Sequence, residues 1–188
     1  MARFRLFCLL FAAALAGCSK PTAEEYFARG QQQAQAAATM ADTLRSPEAV
    51  REAFKPALAS FESVIREYPH HALAEPALFE IANIKNSNLH MPQEAIDAYR
   101  AYCAGYPSGK QTALAMFLIG YLYNNEMHNN DSAAAAYTRF LEKFPESEMA
   151  ASAKFELGTL GKSPEEALPP LDQKPEPRAT KGVRKTPA

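Results

Sequence analysis

The chain has 188 residues, enough for one domain with a buried core. Hydrophobic residues make up 47% of it and charged residues 22%, which is ordinary for a globular protein and excludes a wholly disordered chain. The net charge of −1 gives no global positive field of the kind that nucleic-acid-binding proteins present.

The first residues, 1–17, have the pattern of a secretory signal peptide. Arg3 and Arg5 precede an unbroken apolar run at 6–16, which is shorter than the roughly 20 residues that a membrane-spanning helix needs. Small residues end that run, as they do before a signal-peptide cleavage point. We therefore predict a signal peptide over residues 1–17, with a buried N-terminal helix as the alternative.

The apolar run ends in Leu15-Ala16-Gly17-Cys18, which resembles the lipobox of bacterial lipoproteins. In that family the cysteine thiol receives a diacylglyceryl group, the chain is cleaved before the cysteine, and the new amine is often acylated too. The resemblance implies a covalent lipid with palmitate-type acyl chains on Cys18 and a lipidated linker over residues 18–22. Ser19, in place of an aspartate, implies sorting to the outer membrane, with the protein facing the periplasm.

A series of helices is predicted after the linker. Thr22 and Glu25 have the spacing of a capping box, so the first helix begins at Ala23 and runs to about residue 42. Ser46-Pro47 is an N-cap followed by a proline at the first helical position, which opens a helix to about residue 67. Apolar residues at i, i+4 and i+7 predict further helices at 72–86, 92–104, 110–125, 131–143 and 147–160, with Asp131 as an N-cap.

A pattern with a period of 38 residues runs through these helices. The columns keep their residue class at each recurrence, and they include Pro69, Pro107 and Pro145; Ala57, Ala95 and Ala133; Phe61, Tyr99 and Tyr137; Ile65, Cys103 and Leu141; Ala77, Ala115 and Ala153; Phe79, Phe117 and Phe155; Ile81, Ile119 and Leu157; Ala82, Gly120 and Gly158; and Ile84, Leu122 and Leu160. Self-similarity at a fixed period of this size predicts a solenoid of stacked helix pairs. The column that contains Cys103 is apolar, so we predict that this thiol is a core residue.

The pattern resembles the tetratricopeptide repeat (TPR), with a small residue in the first helix, Ala-x₃-aromatic in the second and a proline after it. The resemblance implies an all-α, TPR-like solenoid of antiparallel helix pairs over residues 23–161. The TPR period is 34, and the longer period here, with its Tyr-Pro or Phe-Pro endings, resembles the BamD lipoproteins of outer-membrane barrel assembly and the Tol-Pal-associated repeat proteins. The implied function is a lipid-anchored scaffold for envelope proteins, in outer-membrane protein assembly or, alternatively, as a Tol-Pal or cell-division tether.

A stripe of aromatic and amide residues is the candidate protein-binding surface. In TPR geometry, positions i, i+4 and i+7 of the first helix would line the concave groove, and here they are Phe79, Asn83, Asn86, Phe117, Tyr121 and Asn124. Asparagine offers donors and an acceptor to the backbone of an extended peptide. The alternative is that the phenylalanines pack between helices and the asparagines are solvated.

No catalytic constellation appears in the sequence. The motifs HExxH, CxxC and GxSxG are absent, and the four histidines are scattered. We predict that the protein is not an enzyme, an envelope hydrolase being the disfavoured alternative. We expect no metal, no cofactor beyond the lipid on Cys18, no small-molecule substrate and no nucleic acid.

Residues 162–188 form a proline-rich, basic segment with few large apolar side chains. Such a segment buries too little surface to offset the entropy of ordering, so a disordered tail is predicted. Its lysines and arginines suit anionic lipid or cell-wall polymer, and the alternative is a solvated tail that keeps this end soluble.

Overall fold

The computed structural model describes residues 20–163 and residue 166, and the regular structure of these residues is entirely helical. The helices are α1 (Ala23–Ala41), α2 (Pro47–Glu67), α3 (Ala74–Asn83), α4 (Pro92–Gly105), α5 (Thr112–Tyr121), α6 (Asn130–Lys143) and α7 (Ala150–Thr159). The predicted all-α fold is confirmed. The predictions for the signal peptide, Cys18 and nearly all of the basic tail lie outside the described residues.

The first two helices begin where their capping residues predict. The side chain of Thr22 accepts a hydrogen bond from the Glu25 backbone N–H at 3.2 Å, and the Glu25 carboxylate accepts one from the Thr22 N–H at 2.9 Å. The side chain of Ser46 accepts one from the Ala49 N–H, and Pro47 is the first residue of α2. Both ends therefore satisfy N–H groups that a helix leaves without intrahelical partners.

The predicted N-cap at Asp131 is wrong. Asn129 caps α6, because its side-chain oxygen accepts from the Ser132 N–H at 3.0 Å. The preceding His128 is left-handed, with φ of 50°, so the chain turns into helical conformation earlier than the sequence suggested. Asp131 lies instead in the first turn of α6, where a carboxylate is favoured by the positive end of the helix dipole.

The helices predicted at 72–86 and 110–125 start later and end differently. Each is an α-helix continued by a π-helical segment, Ile84–Asn88 after α3 and Leu122–Glu126 after α5. The turn that follows contains a left-handed histidine, His90 or His128. A matching hydrogen bond closes each turn, from the Met91 N–H to the Lys85 carbonyl and from the Asn129 N–H to the Tyr123 carbonyl. The same turn is therefore built twice, one period apart.

Each helix packs mainly on the helix before it and the helix after it. Because the connections are short, neighbouring helices run in opposite directions. Two clusters of buried side chains result, one from α1, α2 and one face of α3 with its π segment, the other from the remaining face of α3 through α7. Tyr99, Tyr102, Tyr137, Phe54, Phe61 and Phe140 are the largest fully buried side chains.

A phenylalanine with a small residue three positions later recurs in α1, α3, α5 and α7, and we call each such pair a notch. The four notches are Phe27 with Gly30, Phe79 with Ala82, Phe117 with Gly120, and Phe155 with Gly158. An aromatic ring of the following helix packs against the phenylalanine of each of the first three notches. The ring centroids are 5.4 Å apart for Phe27–Phe61, 5.8 Å for Phe79–Tyr99 and 5.7 Å for Phe117–Tyr137.

The glycines let these rings approach closely. A Cβ at Gly30 would lie 2.8 Å from the Phe61 ring, and one at Gly120 would lie 2.7 Å from the Tyr137 ring. Contacts that short do not occur for real Cβ atoms, so these two positions exclude larger residues unless the helices separate. The column of small residues in the sequence thus sets the distance between paired helices.

Cys103 is less buried than the sequence predicted. Its side chain packs against the second cluster but stays partly exposed, and its thiol lies 3.9 Å from the Thr112 carbonyl oxygen. Burial raises the pKa of this thiol, although the positive charges of Lys143 and Arg139 oppose that shift.

Among residues 20–163, no helix is both long and apolar enough to cross a membrane.

Candidate functional site

The phenylalanines of the predicted binding stripe pack between helices. Phe79 is only 7% exposed, and its ring lies 5.8 Å from Tyr99 and 5.3 Å from Tyr102, centroid to centroid. Phe117 is partly buried against Tyr137 and Phe140 in the same manner. The structure therefore favours, for these two residues, the packing role that the sequence left open.

The asparagines of α3 and its π segment hold a buried tyrosine. The Tyr99 hydroxyl donates a hydrogen bond to the Asn83 side-chain oxygen at 2.8 Å and accepts one from the Asn86 side-chain amide at 3.4 Å. Burial raises the pKa of the Tyr99 hydroxyl. These two amides already have partners inside the chain, so a ligand would have to compete with Tyr99 for them.

The equivalent positions of the next hairpin are arranged differently. Tyr121 is 41% exposed, and the Asn124 amide donates to the Glu156 carboxylate of α7 at 3.0 Å. Neither holds Tyr137, whose buried hydroxyl has no hydrogen-bond partner among the described residues and whose pKa is raised by burial. Within the predicted stripe, Tyr121 is thus the residue with exposed aromatic surface, and a binding role for the stripe stays a prediction.

A groove of about 440 Å³ lies beside Asn83 and is lined by α1, α2, α3 and the π segment that follows α3. We call it the amide groove, because its polar lining includes Gln31, Gln35, Asn83, Asn88 and Ser87. Glu80 is the acidic residue in this lining, and burial raises the pKa of its carboxyl group. Amides of this kind suit the peptide backbone of an extended segment.

A larger groove, of about 620 Å³, lies between α4 and α6 with α5 beneath it. We call it the basic groove. Its apolar lining includes Met116, Ile119, Tyr123, Cys103 and Ala136, and its charged lining consists of Arg100, Arg139 and Lys143. No acidic residue of the described chain lines it.

Hydrogen bonds fix two of these cations. The Arg100 guanidinium donates to the Tyr123 hydroxyl at 2.8 Å and lies 5.5 Å from the centre of that ring. Lys143 donates to the Pro107 carbonyl oxygen at 3.0 Å, which connects α6 to the loop after α4. An apolar floor with fixed cations around it suits a segment that carries both apolar and acidic side chains.

Sequence reasoning missed the basic groove. Its residues come from three helices, and they meet because α4 and α6 both pack on α5. The available signal was the helical spacing of Arg100, Cys103 and Ala104 in α4 and of Ala135, Arg139 and Lys143 in α6. Each set shares one helix face, but only the packing order shows that the two faces border the same groove.

The described residues offer no metal site, since no three His, Cys, Asp or Glu side chains among residues 20–163 and 166 lie close enough together to hold an ion. His71 does approach Glu24, with 3.2 Å between the imidazole nitrogen and the carboxylate. A single pair of this type, on the surface, is a common contact between a loop and a helix.

A tetratricopeptide repeat family model matches residues 114–147. The match covers most of α5, the second π segment, all of α6 and the following Pro145. Comparison with curated proteins finds no match. The chain therefore carries a TPR repeat in its α5–α6 hairpin, and TPR folds generally serve as interaction scaffolds for other proteins and not as enzymes.

Proposed function

We propose that this chain is a protein-binding scaffold of the bacterial cell envelope, held on the periplasmic face of the outer membrane by acyl chains on Cys18. The observation that carries the scaffold role is the TPR repeat at residues 114–147, set in a stack of similar hairpins. The Leu15-Ala16-Gly17-Cys18 motif supports the anchor. A single acyl chain binds a bilayer weakly, and two or three make the attachment lasting.

The proposed anchor would keep the repeats close to the membrane. Residues 18–22 can span at most about 18 Å when extended, and α1 begins at Ala23. Confinement to a thin layer raises the effective concentration of the scaffold for membrane proteins. A preformed solenoid also presents its binding surface with little cost of ordering.

The basic groove is the surface that we propose for the partner. The charged residues that line it are all cationic among the described residues, with the Arg100 guanidinium also 3.8 Å from the Asp97 carboxylate, and its floor is apolar. An acidic segment with apolar side chains would find both kinds of contact there. The amide groove is more polar and smaller, so it would contribute backbone hydrogen bonds more than apolar contact.

Outer-membrane protein assembly, as in the BamD lipoproteins, is the role that we favour within this function. It is supported by the resemblance of the 38-residue period and of the Tyr-Pro and Phe-Pro endings. A Tol-Pal or cell-division tether is the alternative, in which the basic segment at 162–188 would touch the cell wall. The identity of the bound protein, a barrel-assembly subunit or a Tol-Pal component, distinguishes the two.

Crosslinking in cells tests the scaffold role. A photocrosslinking residue in place of Ala135, which is exposed in the basic groove, should capture a discrete envelope protein. The matched control replaces Ala59, an exposed alanine of α2 that lies outside both grooves. Arg139→Glu should reduce the capture from Ala135 roughly tenfold by reversing one charge of the groove. Equal capture from both alanines, or none from either, would contradict the proposal.

Membrane fractionation tests the anchor. Cys18→Ser removes the thiol that the lipid needs, so the protein should no longer pellet with membranes in high salt. A Cys103→Ser variant serves as the control, because this thiol is partly buried in the fold. Unchanged pelleting of Cys18→Ser would rule out a lipid at this cysteine.

A further inference from the structure

The fourth notch differs from the other three because nothing in the described chain occupies it. Phe155 is 54% exposed, whereas Phe79 at the second notch is 7% exposed. No atom of the described residues, outside the helix itself, lies within 4 Å of the position that a Cβ at Gly158 would take. At the third notch the corresponding distance, from Gly120 to the Tyr137 ring, is 2.7 Å.

The first three notches define what the fourth can accept. In each of them a helix packs alongside and brings an aromatic side chain, Phe61, Tyr99 or Tyr137, against the notch phenylalanine. α7 carries the same notch but is the last helix among the described residues. It therefore presents the surface on which the second helix of a further repeat would pack.

Residues 164–188 are poorly suited by their sequence to supply that helix. The sequence of residues 164–188 contains no Phe, Tyr or Trp, and it has prolines at 164, 169, 170, 175, 177 and 187. Ser163 and Glu166 do form a capping box, with the Ser163 N–H donating to the Glu166 carboxylate at 2.8 Å and the Glu166 N–H donating to the Ser163 hydroxyl at 3.4 Å. A proline inside a helix costs about 3 kcal/mol or more, so the prolines at 169 and 170 do not suit a helix of the length of α4 or α6. Residues 164–188 thus offer no aromatic side chain of the kind that packs in the other three notches.

Charge beside the notch indicates which kind of helix would bind there. Lys154 is exposed directly before Phe155, and the Lys162 ammonium donates to the Gly158 carbonyl oxygen at 2.6 Å. The negative charge of Glu166 lies near Lys162 and partly offsets it, so Lys154 contributes most to the positive charge beside the notch. Two copies of the chain joined through α7 would place these lysines near one another, and like charges at an interface disfavour association. A helix with acidic side chains would be attracted instead.

We propose that the fourth notch binds an amphipathic helix of a partner protein, whose aromatic side chain packs against Phe155 over Gly158 and whose acidic side chains lie near Lys154 and Lys162. The proposal rests on the scaffold function and adds a second surface to it, distant in sequence from most of the basic groove. The partner helix packs on α7 as α4 packs on α3 and α6 on α5.

A peptide copied from α4 tests this inference, because α4 already packs on a notch through Tyr99 and carries Glu94 and Asp97. The peptide spans residues 92–105, with a hydrocarbon staple because isolated helices of this length are marginal in water. Fluorescence anisotropy should show saturable binding to the purified full chain in mild detergent. Tyr99→Ala in the peptide should weaken binding roughly tenfold or more, as truncating a central aromatic anchor does.

Two variants of the protein locate the binding site. Gly158→Leu occupies the notch with a side chain, and Lys154→Glu reverses a charge beside it, so each should weaken peptide binding severalfold. The matched control is Gly105→Leu, because Gly105 also has nothing within 4 Å of its Cβ position but lies at the end of α4. Circular dichroism checks that the variants fold. If Gly158→Leu does not fold, the result for Lys154→Glu alone decides the outcome.

Four results would overturn the inference. Wild-type protein fails to bind the peptide, or binds the Tyr99→Ala peptide equally well. Sedimentation shows a dimer that Phe155→Ala dissociates, which assigns the notch to a second copy. Deletion of residues 167–188 strengthens peptide binding tenfold, which assigns it to the chain's own tail. Crosslinking from Ala135 in cells does not depend on any of these four results. If the notch does not bind the peptide, the proposed scaffold function can still hold, and if the crosslinking fails, the peptide result can still hold.

Discussion

The α3–α4 and α5–α6 hairpins share their apolar contacts and differ in their polar ones. Both have a π segment, a left-handed histidine and an occupied notch. In the first, Asn83 and Asn86 hold the Tyr99 hydroxyl, whereas in the second the Tyr137 hydroxyl is buried without a partner among the described residues. The repeat thus preserves packing, while its polar positions are reassigned, as Asn124 is when it bonds to α7.

The largest effect is expected when the shared apolar contact is removed. Tyr99→Ala deletes a fully buried ring that packs on Phe79, and it should lower the free energy of unfolding by about 3–5 kcal/mol. Urea denaturation followed by circular dichroism measures the change. A loss below about 1 kcal/mol would show that the ring does not belong to the core.

A smaller effect is expected when the notches themselves are altered. Gly120→Ala puts a methyl group 2.7 Å from the Tyr137 ring, so it should destabilise the protein by about 1–3 kcal/mol through overpacking. The α3–α4 hairpin already has Ala82 at this position, fully buried. If Gly120→Ala were neutral in the same denaturation experiment, the α5–α6 notch would be no tighter than its counterpart.

Removing a single tyrosine hydroxyl group should change the stability differently in the two hairpins. Tyr99→Phe removes two hydrogen bonds to partly buried amides and should cost about 0.5–1.5 kcal/mol. Tyr137→Phe removes a buried hydroxyl with no partner among the described residues, so its effect should be neutral or stabilising. Equal losses in the two variants would mean that Tyr137 has a partner after all.

Much of the fold could be predicted because each helix start and each apolar column depends on neighbours in the sequence. The capping box at Thr22 and the spacing of Ala77, Ile81 and Ile84 are local signals, and the structure confirms both. The π segments could not be found in this way, because Ile84 and Leu122 fit an α-helical column equally well. Their turns depend on the left-handed conformations of His90 and His128.

The candidate site was harder to predict because it depends on contacts between helices. Asn83 and Asn86 have the spacing of a groove-lining pair, yet their partner is Tyr99, which lies in the next helix. The basic groove joins Arg100 with Arg139 and Lys143 across two helices. A sequence pattern shows which residues share a helix face, but it does not show which face of another helix lies opposite.

The most direct test of the central claim, that the hairpins stack through occupied notches and that the last notch is open among the described residues, compares alanine at two notch glycines. Urea denaturation of the isolated protein should show opposite signs for two matched variants, Gly120→Ala and Gly158→Ala. Gly120→Ala should destabilise, whereas Gly158→Ala should stabilise by about 0.5–1 kcal/mol, because alanine favours the helix and meets nothing at this position among the described residues. Destabilisation by both variants would contradict the account, since something would then already occupy the fourth notch.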